Sequence, residues 1–199
     1  MRRHVRIPLL LSCVLLIFLL AGCGMSAPTH FYTLSPAEST ALDESKCISV
    51  GVGPVRVASY LDRDSIVTRN SANQLHVAEF DEWAEPLQDG LANVVAENIQ
   101  GLICTQPITV HPWPIGISPA YQVTIQVQRL DGTLGKDVTL QATWSIVNAE
   151  GAMQQWQTFS QHTACGLTYN DLAASASQLI AEMSKDIATA LKTLQSKEL

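Results

Sequence analysis

Positive charge is scarce in this sequence: 12 Lys and Arg stand against 18 Asp and Glu, for a formal net charge of −6 at pH 7. Phosphate backbones bind to basic faces, so nucleic acid is not an expected partner. Aromatic residues make up 6% and charged residues 15% of the chain, while hydrophobic residues reach 47%. That balance is too apolar for a disordered segment. A length of 199 residues suits one globular domain and excludes a large multidomain enzyme. The longest greasy run, Ile7 to Leu20, falls short of the ~20 residues that span a bilayer.

Catalytic groupings are also lacking. A serine nucleophile elbow needs Gly-x-Ser-x-Gly, whereas Gly116-Ile117-Ser118-Pro119-Ala120 has no closing glycine and sits among prolines. His30, His76, His111 and His162 are scattered, and His162 with Cys165 makes a single pair, not a zinc set. Gly51-Val52-Gly53 lacks the third glycine and the following helix of a dinucleotide fingerprint. After Asp62-Arg63-Asp64 there is no Gly or distal Glu at calcium-loop spacing. Glu82, Glu85 and Asp89 gather near an expected helix start, where they suit its positive pole better than they suit acid–base work. The expectation is therefore no catalysis, no metal and no cofactor beyond covalent lipid.

Arg2, Arg3 and Arg6 precede the apolar run, the order of a secretory signal peptide covering residues 1–22. Leu20-Ala21-Gly22-Cys23 follows it directly and resembles a bacterial lipobox, in which signal peptidase II cuts between Gly22 and Cys23 and the Cys23 thiol carries diacylglycerol. Several acyl chains on one residue anchor stably where one chain binds only marginally. Gly24 stands where enteric inner-membrane lipoproteins carry Asp, which favours the periplasmic face of the outer membrane. Without the three leader arginines, Lys plus Arg falls to 9 against 18 acids, and the net charge becomes −9.

An oxidising periplasm leaves Cys47, Cys104 and Cys165 to account for. Cys47 precedes the strand candidate Ile48–Val52, and Cys104 lies between a helix and the strand candidate Ile108–His111. If strand-helix-strand topology makes these strands parallel, both Cys reach the same sheet edge. Cys47 and Cys104 are thus the expected pair, with Cys165 free; three reduced, buried thiols are the alternative.

After residues 23–46, read as lipidated Cys, tether and a short strand at Phe31–Leu34, one domain is expected over 47–199. Ile48–Val57 reads as a strand bent near Gly53-Pro54. Ile66–Thr68 and Gln74–Val77 flank Asn70–Asn73 as a hairpin. Leu87, Leu91, Val95, Ile99 and Leu102 recur at helical spacing within Trp83–Leu102, with Pro86 in the first turn. Tyr121–Val127 and Val138–Ile146 alternate strictly around a turn at Asp131–Gly135, and Gln154–Thr163 adds a third meander strand. A last helix over Asp171–Gln195 places Leu172, Ala176, Leu179, Met183, Ile187, Leu191 and Leu194 on one stripe. The expected fold is α+β, a mixed and largely antiparallel sheet with two long helices packed on one face as a two-layer sandwich.

Four stretches taken together resemble the ABC-type transport auxiliary lipoprotein family of the PqiC/YmbA type. They are the lipobox at Cys23, Phe31-Tyr32-Thr33-Leu34-Ser35-Pro36, the run from Gly53-Pro54-Val55 through Tyr60-Leu61-Asp62-Arg63 to Ile66-Val67-Thr68-Arg69, and Glu82-Trp83-Ala84-Glu85-Pro86-Leu87. The resemblance implies a non-enzymatic outer-membrane accessory that docks with a periplasm-spanning lipid-transport complex. Its partner would be an MCE-domain (PqiB-like) protein, and its form a homo-oligomeric ring. The three Cys are no part of that pattern.

The residues offer candidate contacts for such a partner. Arg56, Arg63 and Arg69 concentrate around Tyr60 and Leu61, either as a cationic, partly apolar surface or as neutralising partners of Asp62, Asp64 and helix carboxylates. Trp113 in His111-Pro112-Trp113-Pro114 is either an exposed anchor or folded under a rigid loop. Phe31, Tyr32 and Leu34 add a strand to their own subunit's sheet or to a neighbour's, the former being the simpler expectation. A lipid carrier holding an acyl chain between sheet and helices is the competing function, although the apolar stripes are about the size needed to seal a core.

Overall fold

The structure, a computed structural model, describes residues 27–38 and 47–197. The expected signal peptide, Gly22 and Cys23 lie outside the described residues. Eight strands and two helices follow in the order β1 (His30–Tyr32), β2 (Val50–Val57), β3 (Ser65–Ser71), β4 (Gln74–Trp83), α1 (Leu87–Leu102), β5 (Thr109–Val110), β6 (Tyr121–Thr133), β7 (Asp137–Asn148), β8 (Met153–Ala164) and α2 (Tyr169–Lys197).

Period-two patterning builds the larger sheet. Tyr121, Val123, Ile125 and Val127 of β6 and Val138, Leu140, Ala142, Trp144 and Ile146 of β7 are buried, while the residues between them are not. The five strands are ordered β5-β2-β6-β7-β8. β2 runs parallel to β5 and β6, and β6, β7 and β8 are antiparallel. Both helices cover one face of this sheet and pack against each other. Of the residues expected on the helical stripes, Leu87, Leu91, Val95 and Ile99 of α1 and Leu172 through Leu194 of α2 are buried there, and Leu102 is half-buried. No helix among the described residues is long and apolar enough to cross a membrane.

The α+β class is as expected, yet the strands form two sheets instead of one. β1, β4 and β3 make a separate three-stranded sheet, with β1 parallel to β4 and β3 antiparallel to it. β2 already has β5 on one side and β6 on the other, so the hairpin that follows it finds no free edge there. It takes up β1 instead, which places Phe31 and Tyr32 in a sheet of their own subunit.

Three boundaries also move. Glu82 lies in β4 and Pro86 caps α1, so Asp89 alone of the three expected carboxylates enters the first turn. β6 continues through Asp131 to Thr133 because each residue from Arg129 onward still has a partner on β7. The second helix begins at Tyr169, two residues ahead of Asp171, on a reciprocal cap. The Asp171 N–H donates to Thr168 Oγ1 at 3.1 Å, and the Thr168 N–H donates to Asp171 Oδ2 at 3.0 Å. Hydrogen bonding to the Thr168 side chain and then to its N–H holds the Asp171 carboxyl below the usual carboxylate range. Thr168→Ala removes the cap oxygen, with an expected loss of about 1 kcal/mol in chemical denaturation; an unchanged midpoint would show that the helix start does not depend on it.

The fold has two distinct ends. At one, β1 meets the start of α2, with the Tyr32 and Tyr169 rings 6.4 Å apart. The β6–β7 turn lies there too, as Gly135 donates to the Gly166 carbonyl at 2.7 Å. From this end residues 33–37 run along α2, where Ser35 donates to Ser177 Oγ at 3.0 Å and Ala37 to Asn98 Oδ1 at 2.8 Å. β2, β6 and β8 begin at the other end, where α1 and α2 finish.

Candidate functional site

Two polar side chains of the expected contact segment, Tyr60 and Arg69, turn inward. Asp131 on β6 has no exposed side-chain surface, and Arg69 on β3 grips it with Nε at 2.8 Å from Oδ1 and a terminal nitrogen at 2.8 Å from Oδ2. Tyr60 donates its hydroxyl to Oδ2 at 2.7 Å, and Arg129 Nε donates to Oδ1 at 2.9 Å. Burial alone would push the Asp131 carboxyl up, but the bonds from Arg69, Tyr60 and Arg129 outweigh it and hold it low. Burial, then the bond to Asp131, pushes the Tyr60 hydroxyl up to about 12. This cluster ties the small sheet to the large one.

Of the candidate contact residues, Leu61 is in the core, Tyr60 and Arg69 are engaged with Asp131, and Arg63 is exposed. The partner of Arg69 is Asp131, not Asp62, Asp64 or a helix carboxylate, while Arg56 and Arg63 are exposed. Trp113 is half-buried. It stands edge-on to His111 with centroids 5.3 Å apart, over Gly51, where a Cβ would come within 2.6 Å of its ring. Only glycine leaves room for the indole there.

Cys47 and Cys104 are joined as a disulfide with Cα atoms 4.5 Å apart. The parallel bridge of Ile48 with Thr105 and the parallel pairing of β2 with β5 bring them together. Cys165 is a free, buried thiol, and burial, with Asp171 nearby, pushes its pKa up. Among the described residues no three His, Cys, Asp or Glu side chains are grouped to hold a metal ion.

Exposed apolar side chains mark a surface that the sequence reading did not single out. Ile115 is fully exposed at the tip of the β5–β6 loop, beside half-exposed Ile117, and Met153 and Trp156 are exposed on β8. Met153 and Trp156, with Pro54, Arg56, Thr124 and Thr143, line a groove of about 400 Å³ on the sheet. One sequence signal was available: no charged residue occurs from Asn98 to Gln128 or from Gly151 to Asn170. Charge depletion marks the cores of protein interfaces.

Comparison with known proteins bears on both fold and family. A crystal structure of an uncharacterized protein is 20% identical with a TM-score of 0.67, covering 83% of this chain and 99% of that one. The crystal structure of a Xanthomonas campestris protein of family DUF330 is 16% identical with a TM-score of 0.66, covering 85% of this chain and 100% of the other. At these identities the likeness is one of fold. A PelC dodecamer from Paraburkholderia phytofirmans is 15% identical with a TM-score of 0.44, over 75% of this chain and 93% of that one. No curated protein matches the chain. The ABC-type transport auxiliary lipoprotein component family matches residues 32–188, which takes in all but the first two residues of the described strands and most of α2. The five-stranded sheet, α1 and the Asp131 cluster thus fall within one family match, and the chain belongs to the ABC-type transport auxiliary lipoproteins.

Proposed function

We propose that this lipoprotein is a non-enzymatic accessory, anchored through lipid on Cys23 to the periplasmic face of the outer membrane. There it docks, as a homo-oligomer, with an MCE-domain protein of a periplasm-spanning lipid-transport complex and supports lipid trafficking between the membranes. Family membership supplies the transport role. The observation that carries docking is the exposure of large apolar side chains, Ile115 and Ile117 on the β5–β6 loop and Met153 and Trp156 on β8, in segments that hold no charged residue. A lipid-carrier role finds no such support, because the apolar stripes of both helices are buried in the core.

In-cell photo-cross-linking from surface positions of the full-length lipoprotein, followed by membrane fractionation, tests the reading. The expected result is an MCE-domain protein joined to it in the outer-membrane fraction. Recovery from the inner membrane, or no MCE-domain protein among the products, overturns it.

A further inference from the structure

We propose that the end of the molecule carrying β1 and the start of α2 lies on the phospholipid surface, with Leu167 and Phe31 dipping into it. The inference rests on the lipid anchor at Cys23 in the proposed function and names the part of the fold that meets the leaflet.

Leu167 is out of its usual place. Thr168 caps α2, which makes Leu167 the residue before the cap and Leu172 the fourth of the helix. Apolar residues at these two positions ordinarily pack on each other as a hydrophobic staple. Here Leu172 is 2% exposed and Leu167 80% exposed, so the staple is open and the leucine stands in water. Its support is nonetheless ordered. The Gly135 N–H donates to the Gly166 carbonyl at 2.7 Å and the Cys165 N–H to the Lys136 carbonyl at 3.1 Å, which fastens the segment on one side. The Thr168–Asp171 cap fastens it on the other. Gly135, at φ 76°, leaves the space that Leu167 uses, since a Cβ there would come within 2.7 Å of its Cδ2. An apolar side chain on so fixed a backbone loses little conformational entropy when it is covered.

Phe31 is the second such side chain, 64% exposed on β1 at the edge of the small sheet. The Tyr32 and Tyr169 rings, 6.4 Å apart, connect the two places, because Tyr32 follows Phe31 and Tyr169 is two residues beyond Leu167. Both tyrosines are half-buried. A ring with an apolar body and a polar tip is the side chain that settles at a headgroup boundary.

Tether length and charge select lipid as the covering. Phe31 is eight residues after Cys23, at most roughly 28 Å along a fully extended chain. Acyl chains on Cys23 therefore keep a leaflet within reach of Phe31 at all times. Residues 24–37 contain no Asp, Glu, Lys or Arg, and neither do residues 151–170, which include Leu167. Apolar side chains in uncharged surroundings enter the headgroup–acyl boundary without dragging charge with them. Of the charged groups nearby, Asp81 accepts the Tyr32 hydroxyl, Asp171 accepts the Thr168 N–H, and Glu82 and Asp137 are half-buried. Lys136 is exposed beside Leu167 and can reach a lipid phosphate with its ammonium while its stem lies along the apolar patch.

The test uses the full-length lipoprotein in vesicles of phosphatidylethanolamine and phosphatidylcholine. Cys47 and Cys104 are joined and Cys165 is buried, so Leu167→Cys, Phe31→Cys and, as a control, Ile115→Cys each present one thiol to an environment-sensitive fluorophore. Probes at 167 and 31 are expected to shift to the blue and to be quenched by lipids bearing a nitroxide near the headgroup, while the probe at 115 stays in water. Adding Leu167→Asp to the Phe31→Cys chain is expected to abolish most of that quenching without moving the melting temperature. Mass spectrometry of the same sample reports the lipid on Cys23. Lipidated protein whose probes at 167 and 31 answer only to an aqueous quencher overturns the proposal and leaves the anchor standing. Equal lipid quenching at 115 also overturns it, because no one end then faces the leaflet. Probes that shift only when envelope extract is added mark a protein-binding surface and overturn it too. Cys23 without lipid removes the anchor and this proposal together.

Discussion

Replacing Cys47 and Cys104 together by serine is expected to lower the unfolding free energy by about 4 kcal/mol. The bond closes a loop of 57 residues that contains β2, the β3–β4 hairpin and α1. In the unfolded chain it removes the freedom of that whole span, and loop-closure entropy at this length gives the figure. In the folded chain the loss is small, because the ends are held independently: Ile48 donates to the Cys104 carbonyl at 3.2 Å, and Gln106 donates to the Ile48 carbonyl at 2.9 Å. The replaced side chains therefore leave the local geometry in place, and the effect acts through the unfolded state. Cys165 should not compete for either partner, since its buried thiol is a poor source of thiolate. Chemical denaturation of the wild type with and without reductant, beside the double variant, measures the difference. Coincident midpoints in all three would mean that the bond contributes nothing.

The parts of this fold legible in the sequence are those written in one dimension. Alternation along Tyr121–Val127 and Val138–Ile146 and the three-to-four spacing of the helix stripes require only a local count, and they place the strands and helices within a few residues. The approach of Cys47 to Cys104 follows from strand direction, which a short β-α-β stretch also encodes. The Asp131 cluster is different in kind. Arg69 and Asp131 stand 62 residues apart on different sheets, and no periodicity relates them. Their meeting depends on how two sheets pack, as does the assignment of β3 and β4 to the smaller one. Arg69 and Tyr60 were thus readable as a cationic surface only while their partner was unknown. The start of α2 is an intermediate case. The hydrophobic period alone begins the helix at Asp171, while the Thr168-x-x-Asp171 spacing carries the earlier boundary in its capping chemistry.

Asp131→Ala should be about as damaging as loss of the disulfide, and it gives the pH dependence of stability its shape. Removing one partner from a buried charge network typically costs 3–5 kcal/mol, because the remaining charges lose their compensation. Here the carboxylate is fully buried, but the Arg69 and Arg129 side chains retain 20% and 29% of their exposure and can rehydrate. The expected loss is therefore near the lower limit, about 3 kcal/mol. Tyr60→Phe removes one hydrogen bond and leaves the carboxylate with both guanidiniums, so about 1 kcal/mol is expected. The wild-type network contributes at both pH extremes. Asp131 has a lower pKa folded than unfolded, so its contribution is complete above the unfolded value of about 4 and is lost as pH falls through the lower folded value. Tyr60 is raised to about 12, so its contribution is complete below the unfolded value of about 10 and is lost between there and 12. Tyr32, raised to about 12 first by its bond to Asp81 and then by burial, adds a second alkaline component that does not involve Asp131. Denaturation of wild type and Asp131→Ala across pH should then show the acid limb flattened in the variant and the alkaline limb reduced but still present. Parallel curves, offset by a constant amount, would mean that the cluster stabilises the fold by packing alone.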